Sequence, residues 1–427
     1  MPVERPRPVL LAVPPDWAAE VSAGICADGR HSVARRCTGL ADLLAVAATY
    51  HGALVVLDVR LPHLDLSSVE RMRRGGLDVV GVLDGDDPQA QERAASWGIA
   101  PVLALGAPSR LWTEALSAPR KPFRPDVFGV PGSQAAELLD VLWPVRAPTG
   151  RVVAVWGPTG SPGRSRIALE VASRFSAGAF STILIDADPR GGAQSSLLGL
   201  TEDTPGLPAA AREAERGVLT VASLEAHLCQ VPAGVAVLTG RSDKRRAGEI
   251  SGAAIRAIFA TCRKKADLTV VDCGSDVEQG PELLDDYPNA DAVTSAALEA
   301  ADLILVVGLP DPLGLARLSD GLLDLECLRL PRRRLLVLNR DRAATREMVP
   351  DAQLPLVARI PDAQAGLDLA FSLRRPVVQT SPESAFAAAI DETARAIHET
   401  LRSPWARPRR GDLDREPPGP GYVTMTG

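Results

Sequence analysis

The residues best suited to chemistry lie in one stretch, RVVAVWGPTGSPGRSRIAL (Arg151–Leu169), where small and basic residues follow an apolar run. The pattern predicts a strand, a tight turn of Gly, Pro and Ser, and the first turns of a helix. Backbone N–H groups of such a turn converge on one point, and the helix dipole adds partial positive charge there. We therefore expect this turn to hold a phosphate group.

The core of the turn, Gly163-Arg164-Ser165, stands where a P-loop has Gly-Lys-Ser/Thr. The match is imperfect. A strict motif has Gly five residues before Gly163, where this chain has Pro158, and Gly157 comes one position too early. Taken alone, the stretch has an alternative interpretation, which is an ordinary turn between a strand and a helix.

Three later apolar segments, each predicted to be a strand, end in polar side chains. TILIDAD ends in Asp186 and Asp188, LTVVD ends in Asp272, and RLLVLN ends in Asn339. Carboxyl ends of parallel strands share the ligand-binding edge of a sheet, where carboxylates can reach Mg²⁺ or position water. Alternatively, Asp186 or Asp188 caps the turn that follows its strand. Each segment alone is a weak signal, but their order together predicts a nucleotide site at one edge.

Residues 1–115 show apolar strands alternating with helices, which predicts a parallel sheet covered on both faces, in a flavodoxin-like order. The predicted strands are Val9–Val13, Ala53–Val59, Val79–Leu83 and Val102–Leu105, and the predicted helices are Ala41–Thr49, Ser67–Arg74 and Pro88–Trp97. The whole chain is thus assigned to the α/β class, with a P-loop NTPase fold in its second half.

The segment LVVLDVRLP resembles the central strand of response-regulator receiver domains, with Asp58 in the place of the phosphoacceptor. The rest of the receiver pattern is missing. Pro14-Pro15 stand where an acidic pair would bind Mg²⁺, Asp84 stands in place of Ser or Thr, and Gly106 in place of Lys. We interpret this unit as a degenerate receiver that docks a partner or dimerises, rather than one that carries phosphate on Asp58.

Residues 151–402 resemble the MinD/ParA class of P-loop ATPases, whose deviant Walker A loop reads Lys-Gly-Gly-x-Gly-Lys-Thr. IDADPRGGAQSSLLGL is similar to the strand-to-switch segment of that family, and LVLNR to its adenine-side segment. ARIPDAQAGLDLAFSLRRPVVQ is similar to its closing Ile-Pro segment and the helix after it. With a degenerate receiver in front, the chain looks like the CpaE/TadZ branch, including actinobacterial septum-site-determining homologues.

The resemblance implies ATP and Mg²⁺ as cofactors and a homodimer that encloses two nucleotides. Nucleotide-dependent dimerisation would position an apparatus, either Tad-type pilus/secretion machinery or the division septum, through protein partners. Asp186 would lie near the position that orients attacking water, Asp188 would lie in the switch region, and Ser165 and Asp272 would hold the metal. The implied nucleotide-binding residues are Gly157, Thr159, Gly160, Ser161, Gly163, Arg164, Ser165, Arg166 and Asn339.

The departures from the family pattern concern charge. Thr159 falls where the signature Lys would be, and Arg164 falls where the second Lys would bind β- and γ-phosphates. Arg keeps the charge but is longer and planar, and Pro158 and Pro162 offer no N–H. We therefore expect weak nucleotide binding and slow or absent hydrolysis. Two alternatives stay open: a non-enzymatic dimeric scaffold, and a ParA-like DNA-segregation ATPase.

Composition limits the remaining choices. Of 427 residues, 46% are hydrophobic and 23% charged, which is ordinary for a globular protein of two or three domains. The net charge of −6 speaks against electrostatic DNA binding by the whole protein. It leaves open a local contact through the basic run Arg241–Arg246. The six cysteines lack zinc-ligand spacing, which favours a cytoplasmic protein with reduced thiols.

The segments outside the two units are rich in Pro. Residues 116–150 are predicted to be a linker with one short helix, Gln134–Leu142, and residues 403–427 a disordered tail. No apolar run approaches the roughly 20 residues of a membrane span, and proline interrupts any amphipathic anchor in the tail. We therefore expect no direct membrane anchor, and recruitment to a pole or septum by a partner. The run 278–300 is predicted to be an inserted loop.

Overall fold

The computed structural model describes residues 6–117, 150–277, 291–345 and 354–402, without 48, 51, 161–162, 201–205, 241–249, 329 and 332. The predicted helix Gln134–Leu142, most of the linker, the basic run Arg241–Arg246 and the tail lie outside the described residues.

The first half of the chain forms a five-stranded sheet in which every paired strand is parallel. The strand order is β2-β1-β3-β4-β5, the doubly wound flavodoxin-like order predicted from the sequence. The strands are β1 (Arg7–Ala12), β2 (His31–Arg36), β3 (Leu54–Asp58), β4 (Asp78–Leu83) and β5 (Val102–Ala104), and the helices α1 (Ala18–Cys26), α2 (Leu40–Ala47), α3 (Leu66–Arg74), α4 (Pro88–Ser96) and α5 (Ser109–Ser117).

Three of these elements, α1, β2 and α5, were not predicted. The strand β2 reads HSVARR and lies at the edge of the sheet, where its last three residues are exposed. An edge strand pairs on one side only, so it needs no continuous apolar run. Hydrophobic periodicity therefore gave no signal for it.

The second half forms an eight-stranded sheet in the order β13-β12-β11-β6-β10-β7-β9-β8, with only the β8–β9 pair antiparallel. The strands are β6 (Arg151–Trp156), β7 (Thr182–Ala187), β8 (Cys229–Gln230), β9 (Ala236–Leu238), β10 (Leu268–Cys273), β11 (Leu303–Gly308), β12 (Arg334–Asp341) and β13 (Leu356–Pro361). The strand before the Gly-rich turn, β6, is paired on both sides, with β10 and β11. The turn therefore lies in the middle of the sheet edge.

Helices cover both faces of this sheet. They are α6 (Arg164–Ala177), α7 (Gln194–Leu198), α8 (Gly206–Glu215), α9 (Val221–Ala226), α10 (Gly252–Lys265), α11 (Asp291–Ala300), α12 (Pro312–Asp324), α13 (Gln364–Leu373), α14 (Val377–Thr380) and α15 (Ala385–Arg402). One apolar core packs α6, α14 and α15 against the sheet, and a second packs α8, α10 and α11 against the other face. The α/β class with mostly parallel sheets is thus confirmed.

The prediction of an inserted loop over residues 278–300 is wrong for its second half. Asp291–Ala300 forms α11, which buries Val293, Ala296 and Leu298. The sequence DAVTSAALEA spaces these apolar residues for one helical face, but the alanines and hydroxyls between them weakened the pattern. Residues 278–290, including Asp285-Asp286, lie outside the described residues.

The two sheets are joined through α3, which packs against α8 and α10. Glu70 of α3 forms an ion pair with Arg256 of α10, and both side chains are buried. Ser67 donates from its hydroxyl to the Glu215 carboxylate of α8, at 2.8 Å. Among the described residues, no helix combines the length and apolar character needed to cross a membrane.

Candidate functional site

The candidate site is built on the turn between β6 and α6. Helix α6 begins directly after Gly163, whose φ of 107° is accessible to glycine at little cost. The Asn339 side-chain amide, at the end of β12, lies against Gly163, so that a side chain at this position would collide with it. Two residues predicted from separate segments, Gly163 and Asn339, are therefore in direct contact.

The predicted strand-end carboxylates meet beside this turn. Asp272 and Asp186 are register partners on the neighbouring strands β10 and β7, and both are buried. Gln194 joins them: its backbone N–H donates to Asp186 Oδ2 at 3.0 Å and its side-chain Nε2 to Asp272 Oδ2 at 2.9 Å. The same Nε2 donates to the Ser165 carbonyl at 2.9 Å. Gln194 thus ties two acids to the first turn of α6.

The sequence did not identify Gln194 as a site residue. It is the first residue of α7 and is fully buried. The available signal was its place five residues after the DADP turn, where a buried amide can bridge two strand ends that each carry a carboxylate.

The electrostatics of this pair favour a cation. Burial raises the pKa of Asp272 to about 6, against hydrogen bonds from Gln194 and Ser165 that lower it. Burial and the nearby charge of Asp272 raise the pKa of Asp186 well above its ordinary range. One oxygen of each carboxylate, Oδ1, is buried without a hydrogen-bond partner among the described residues. Two buried acids with free oxygens have a high free energy when both are ionised, unless a cation binds.

The residues present fit Mg²⁺. The Ser165 hydroxyl hydrogen bonds to Asp272 and lies at the N-terminus of α6, so hydroxyl and carboxylate oxygens face the same space. Within the described part of the chain, no group of three or more His, Cys, Asp or Glu side chains is arranged to hold a metal by itself. Phosphate oxygens and water would therefore have to supply the remaining ligands.

Arg164 and Asp188 have local partners. Arg164 donates to the Gly157 carbonyl at 2.5 Å, and its Nη2 lies 3.6 Å from Asp188 Oδ2. The other oxygen of Asp188 accepts backbone N–H groups of Arg190 and Gly191, at 3.0 and 2.9 Å. Asp188 thus caps its own turn, which was the alternative interpretation, and also neutralises part of the charge of Arg164.

Thr159 lies on the exposed outer side of the turn and is tied to residues that the sequence had not singled out. Its hydroxyl donates to Asp276 at 3.2 Å, and Asp276 also accepts from Arg190 at 2.8 Å. Arg190 pairs in addition with Asp291 at the start of α11. The segments after β6, β7 and β10 are thereby connected. Gly160, with φ of 79°, has the Arg317 guanidinium of α12 against it, and Ser161 lies outside the described residues.

A cavity of about 250 Å³ opens beside the turn, on the side of β12 and β13. Its lining includes Gly163, Arg166, Asn339, Asp362 and Phe371. The cavity thus lies directly next to the Gly-rich turn, and its lining is both apolar and polar.

Comparisons with known proteins give matches among solved structures alone. No family model matches the chain, and no curated protein matches it. Among solved structures, the cell division ATPase MinD of Pyrococcus furiosus is 19% identical over 58% of this chain and 99% of its own, with a TM-score of 0.46. MinD of Pyrococcus horikoshii, complexed with Mg-ADP, is 17% identical over 59% and 98%, with a TM-score of 0.47. A ParA family ATPase of Chlorobium tepidum is 19% identical over 57% and 98%, with a TM-score of 0.49.

Asp58, which aligns with the phosphoacceptor of receiver domains, lies at the carboxyl end of β3 and is 7% exposed. It accepts the backbone N–H of Arg60 at 2.9 Å, and the Arg60 guanidinium lies over the Trp17 ring, 5.7 Å from its centre. Asp16, the nearest acid in the loop after β1, is exposed. Asp58 therefore accepts a hydrogen bond from the turn that follows its own strand, with Trp17 and Arg60 beside it.

Proposed function

We propose that this protein binds an adenine nucleotide with Mg²⁺ at the edge of the eight-stranded sheet and dimerises in response. The observation that carries the proposal is the joining of Ser165, Asp272 and Asp186 through Gln194, next to a turn that lies against Asn339. The turn and the first helical turn of α6 would hold phosphates. Ser165 and Asp272 would hold Mg²⁺, and the cavity at Asn339 would hold the base.

Bound Mg²⁺ would neutralise phosphate charge and favour attack by water on the terminal phosphoryl group. Asp186 would orient that water from its buried position. Hydrolysis would be slow, because Thr159 brings no charge and Arg164 is engaged with Gly157 and Asp188. Occupancy of the site, more than turnover, would then set the state of the protein.

As a cellular role, we propose the spatial positioning of an apparatus, either Tad-type pilus/secretion machinery or the division septum, through protein partners. The degenerate receiver would provide a partner-binding or dimerisation surface. The support is the resemblance of the segments around the site to MinD/ParA sequences, in the CpaE/TadZ arrangement.

A non-enzymatic scaffold is the second candidate. It is favoured by the contacts of Thr159 and Arg164, which are satisfied within the protein. Such a protein would keep the fold and the dimer and lose the nucleotide switch. DNA segregation is the third possibility, and salt-sensitive DNA binding would reveal it.

Calorimetric titration with ATP and ADP, with and without Mg²⁺, tests the proposal. Binding that strengthens with Mg²⁺ is expected, and Ser165→Ala should remove that Mg²⁺ dependence. Ser176→Ala is the matched control, because Ser176 lies at the far end of the same helix and donates to the Gly234 carbonyl. Analytical ultracentrifugation should show a dimer that forms with nucleotide. Absence of binding at millimolar ATP would leave the scaffold as the conclusion.

A further inference from the structure

Gln194 is a neutral residue placed between two acids, and it occupies one oxygen of each. Its backbone N–H donates to Asp186 Oδ2 at 3.0 Å, and its side-chain Nε2 donates to Asp272 Oδ2 at 2.9 Å. The residue is fully buried at the start of α7. Each carboxylate therefore has one oxygen bound by Gln194 and one, its Oδ1, without a hydrogen-bond partner in the described part of the chain.

The side-chain amide of Gln194 has a defined orientation. Its Nε2 has two acceptors, the Asp272 carboxylate and the Ser165 carbonyl, each at 2.9 Å. A backbone carbonyl can only accept, so the NH₂ end of the amide must face these two groups. The amide oxygen, Oε1, is buried and has no donor among the described residues. Gln194 therefore presents hydrogen-bond donors, and no oxygen ligand, to the acid at the end of β10.

The oxygens that remain are too few to hold Mg²⁺ tightly by themselves. Mg²⁺ requires octahedral coordination by oxygen. The Oδ1 atoms of Asp186 and Asp272 and the hydroxyl of Ser165 supply only part of such a set. Asp188 is engaged elsewhere, since it caps its own turn and its Oδ2 lies 3.6 Å from Arg164 Nη2. Within the described residues, no third acid, His or Cys completes the group.

These contacts give Gln194 a role in the order of binding. We propose that Gln194 lowers the affinity of the two acids for a divalent cation on its own, so that tight binding of the ion requires phosphate oxygens as further ligands. A neutral donor stabilises part of the negative charge of Asp186 and Asp272 without adding to it. Gln194 is thus a positioning residue that acts through the two acids. This inference rests on the proposed nucleotide binding.

Titration of the full chain with Mn²⁺ tests it, because Mn²⁺ suits the same oxygen ligands as Mg²⁺ and its free concentration can be measured by electron paramagnetic resonance. Without nucleotide, Gln194→Glu should bind Mn²⁺ at least about 10-fold more tightly than the parent, because the change removes the donor at Asp272 and adds a carboxylate. Gln194→Met, which has a similar length and no side-chain donor, should lie between them. ADP should strengthen Mn²⁺ binding more in the parent than in Gln194→Glu.

A matched variant and a stability measurement separate binding from folding. Gln379 of α14 donates to the Ala233 carbonyl, next to Gly234, which contacts the far end of α6 through Ser176. Gln379→Glu makes the same change of charge away from the two acids and should bind Mn²⁺ as the parent does. Gln194→Glu should lower the melting temperature without metal, because it buries a further acid, and Mn²⁺ should raise it again.

Equal Mn²⁺ affinity of the parent and Gln194→Glu without nucleotide would overturn the role of Gln194, whether or not ADP binds. Tight binding of Mn²⁺ by the parent that ADP leaves unchanged would overturn it as well. A parent that binds no ADP in the presence of Mn²⁺ would overturn the proposed function and the dependence on phosphate. The nucleotide-free titrations would then still measure the effect of Gln194 on the metal affinity of the two acids.

Discussion

At the scale of single residues, the edge of the eight-stranded sheet carries two buried carboxylates, and the groups around them stabilise their negative charge only in part. Asp186 and Asp272 are both buried, face each other across neighbouring strands and share one bridging amide, Gln194. The free energy of this arrangement depends on protons or on a bound cation, because no other described residue completes the hydrogen bonding of both carboxylates. The site is thus a place where ligand binding and stability are linked.

We expect Asp272→Asn to stabilise the nucleotide-free protein at neutral pH. Burial raises the pKa of Asp272 from 3.8 to about 6. A folded-state pKa above the unfolded value means that the protein loses stability as pH rises from about 4 to about 6, by about 3 kcal/mol in all for a shift of this size. Thermal unfolding should show a gain for the variant that grows from about pH 4 to about pH 6 and levels off above that.

Asp267→Asn is the control for that measurement. Asp267 lies just before the other end of β10, and hydrogen bonds from Ser181 lower its pKa, so its contribution has the opposite sign. The control should show no gain with pH. A stability gain for Asp272→Asn that stays constant with pH would contradict the burial of an ionisable acid at this position.

Gly163→Ala should destabilise the protein more than Gly29→Ala. Both glycines have positive φ, 107° and 66°, but only Gly163 has the Asn339 amide against it, whereas nothing lies within 4 Å of the Cβ position at Gly29. The backbone alone costs about 1 kcal/mol, and the collision adds to that cost. Urea denaturation should recover part of the loss when Asn339→Ala is added to Gly163→Ala. Equal losses at the two glycines would show that the Asn339 contact is absent in solution.

At the scale of elements, the site depends on how helix α6 is held in place. Its N-terminus carries the residues assigned to phosphate and metal. One turn later, Glu170 caps the first backbone N–H groups of α14. This contact places α13 and α14 beside the cavity, since they follow β13 directly in the chain. The geometry of the pocket is therefore coupled to the orientation of α6.

Glu170→Ala should destabilise the protein by about 2 kcal/mol or more, because two buried N–H groups lose their acceptor and Arg166 loses the nearest acid. Hydrogen exchange measured by mass spectrometry should accelerate at Val377 and Val378. Asp391→Asn is the control, because its pair with Arg174 is partly exposed and should contribute less than about 1 kcal/mol. Unchanged exchange at residues 377–378 would contradict the capping role of Glu170.

At the scale of the whole molecule, the two sheets are linked through α3. The Glu215 carboxylate at the end of α8 accepts both the backbone N–H and the hydroxyl of Ser67, so it caps α3 from the other unit. Trp97 donates to the Glu215 carbonyl at 3.1 Å. Helix α3 also follows the loop that begins at Asp58. The predicted degenerate receiver therefore contacts α8 and α10 of the second unit through the helix that comes directly after Asp58 in the chain.

Arg256→Met tests this connection. The variant leaves the buried Glu70 paired only with Arg74 of its own helix. It should therefore cost less than the loss of about 3–5 kcal/mol expected for a buried acid with no partner, and Glu70→Leu combined with Arg256→Met should recover most of the loss. Differential scanning calorimetry should show one transition for the parent and separate transitions for the single variant. Identical unfolding of parent and single variant would contradict a contact between the two units in solution.

Much of the candidate site could be predicted because its signals are local in sequence. An apolar run ending in Asp or Asn predicts a buried strand with a polar carboxyl end, which held for Asp186, Asp272 and Asn339. Gln194, Asp276, Arg190 and Arg317 could not be found in this way. Each is important through contacts with residues that are distant in the chain. The same limit hid β2, whose edge position removed the apolar pattern.

The sequence alone determined the α/β class, the parallel arrangement and the edge at which the polar strand ends meet, because alternating strands and helices leave few other ways to bury their apolar faces. It also determined the change in charge at Thr159 and Arg164. Only the tertiary structure decided which carboxylate oxygens lack a hydrogen-bond partner among the described residues, that Asp188 caps its own turn, and that Arg166 lines a cavity beside Asn339. These properties depend on distances between segments that are far apart in the chain, and the residue types alone do not specify those distances.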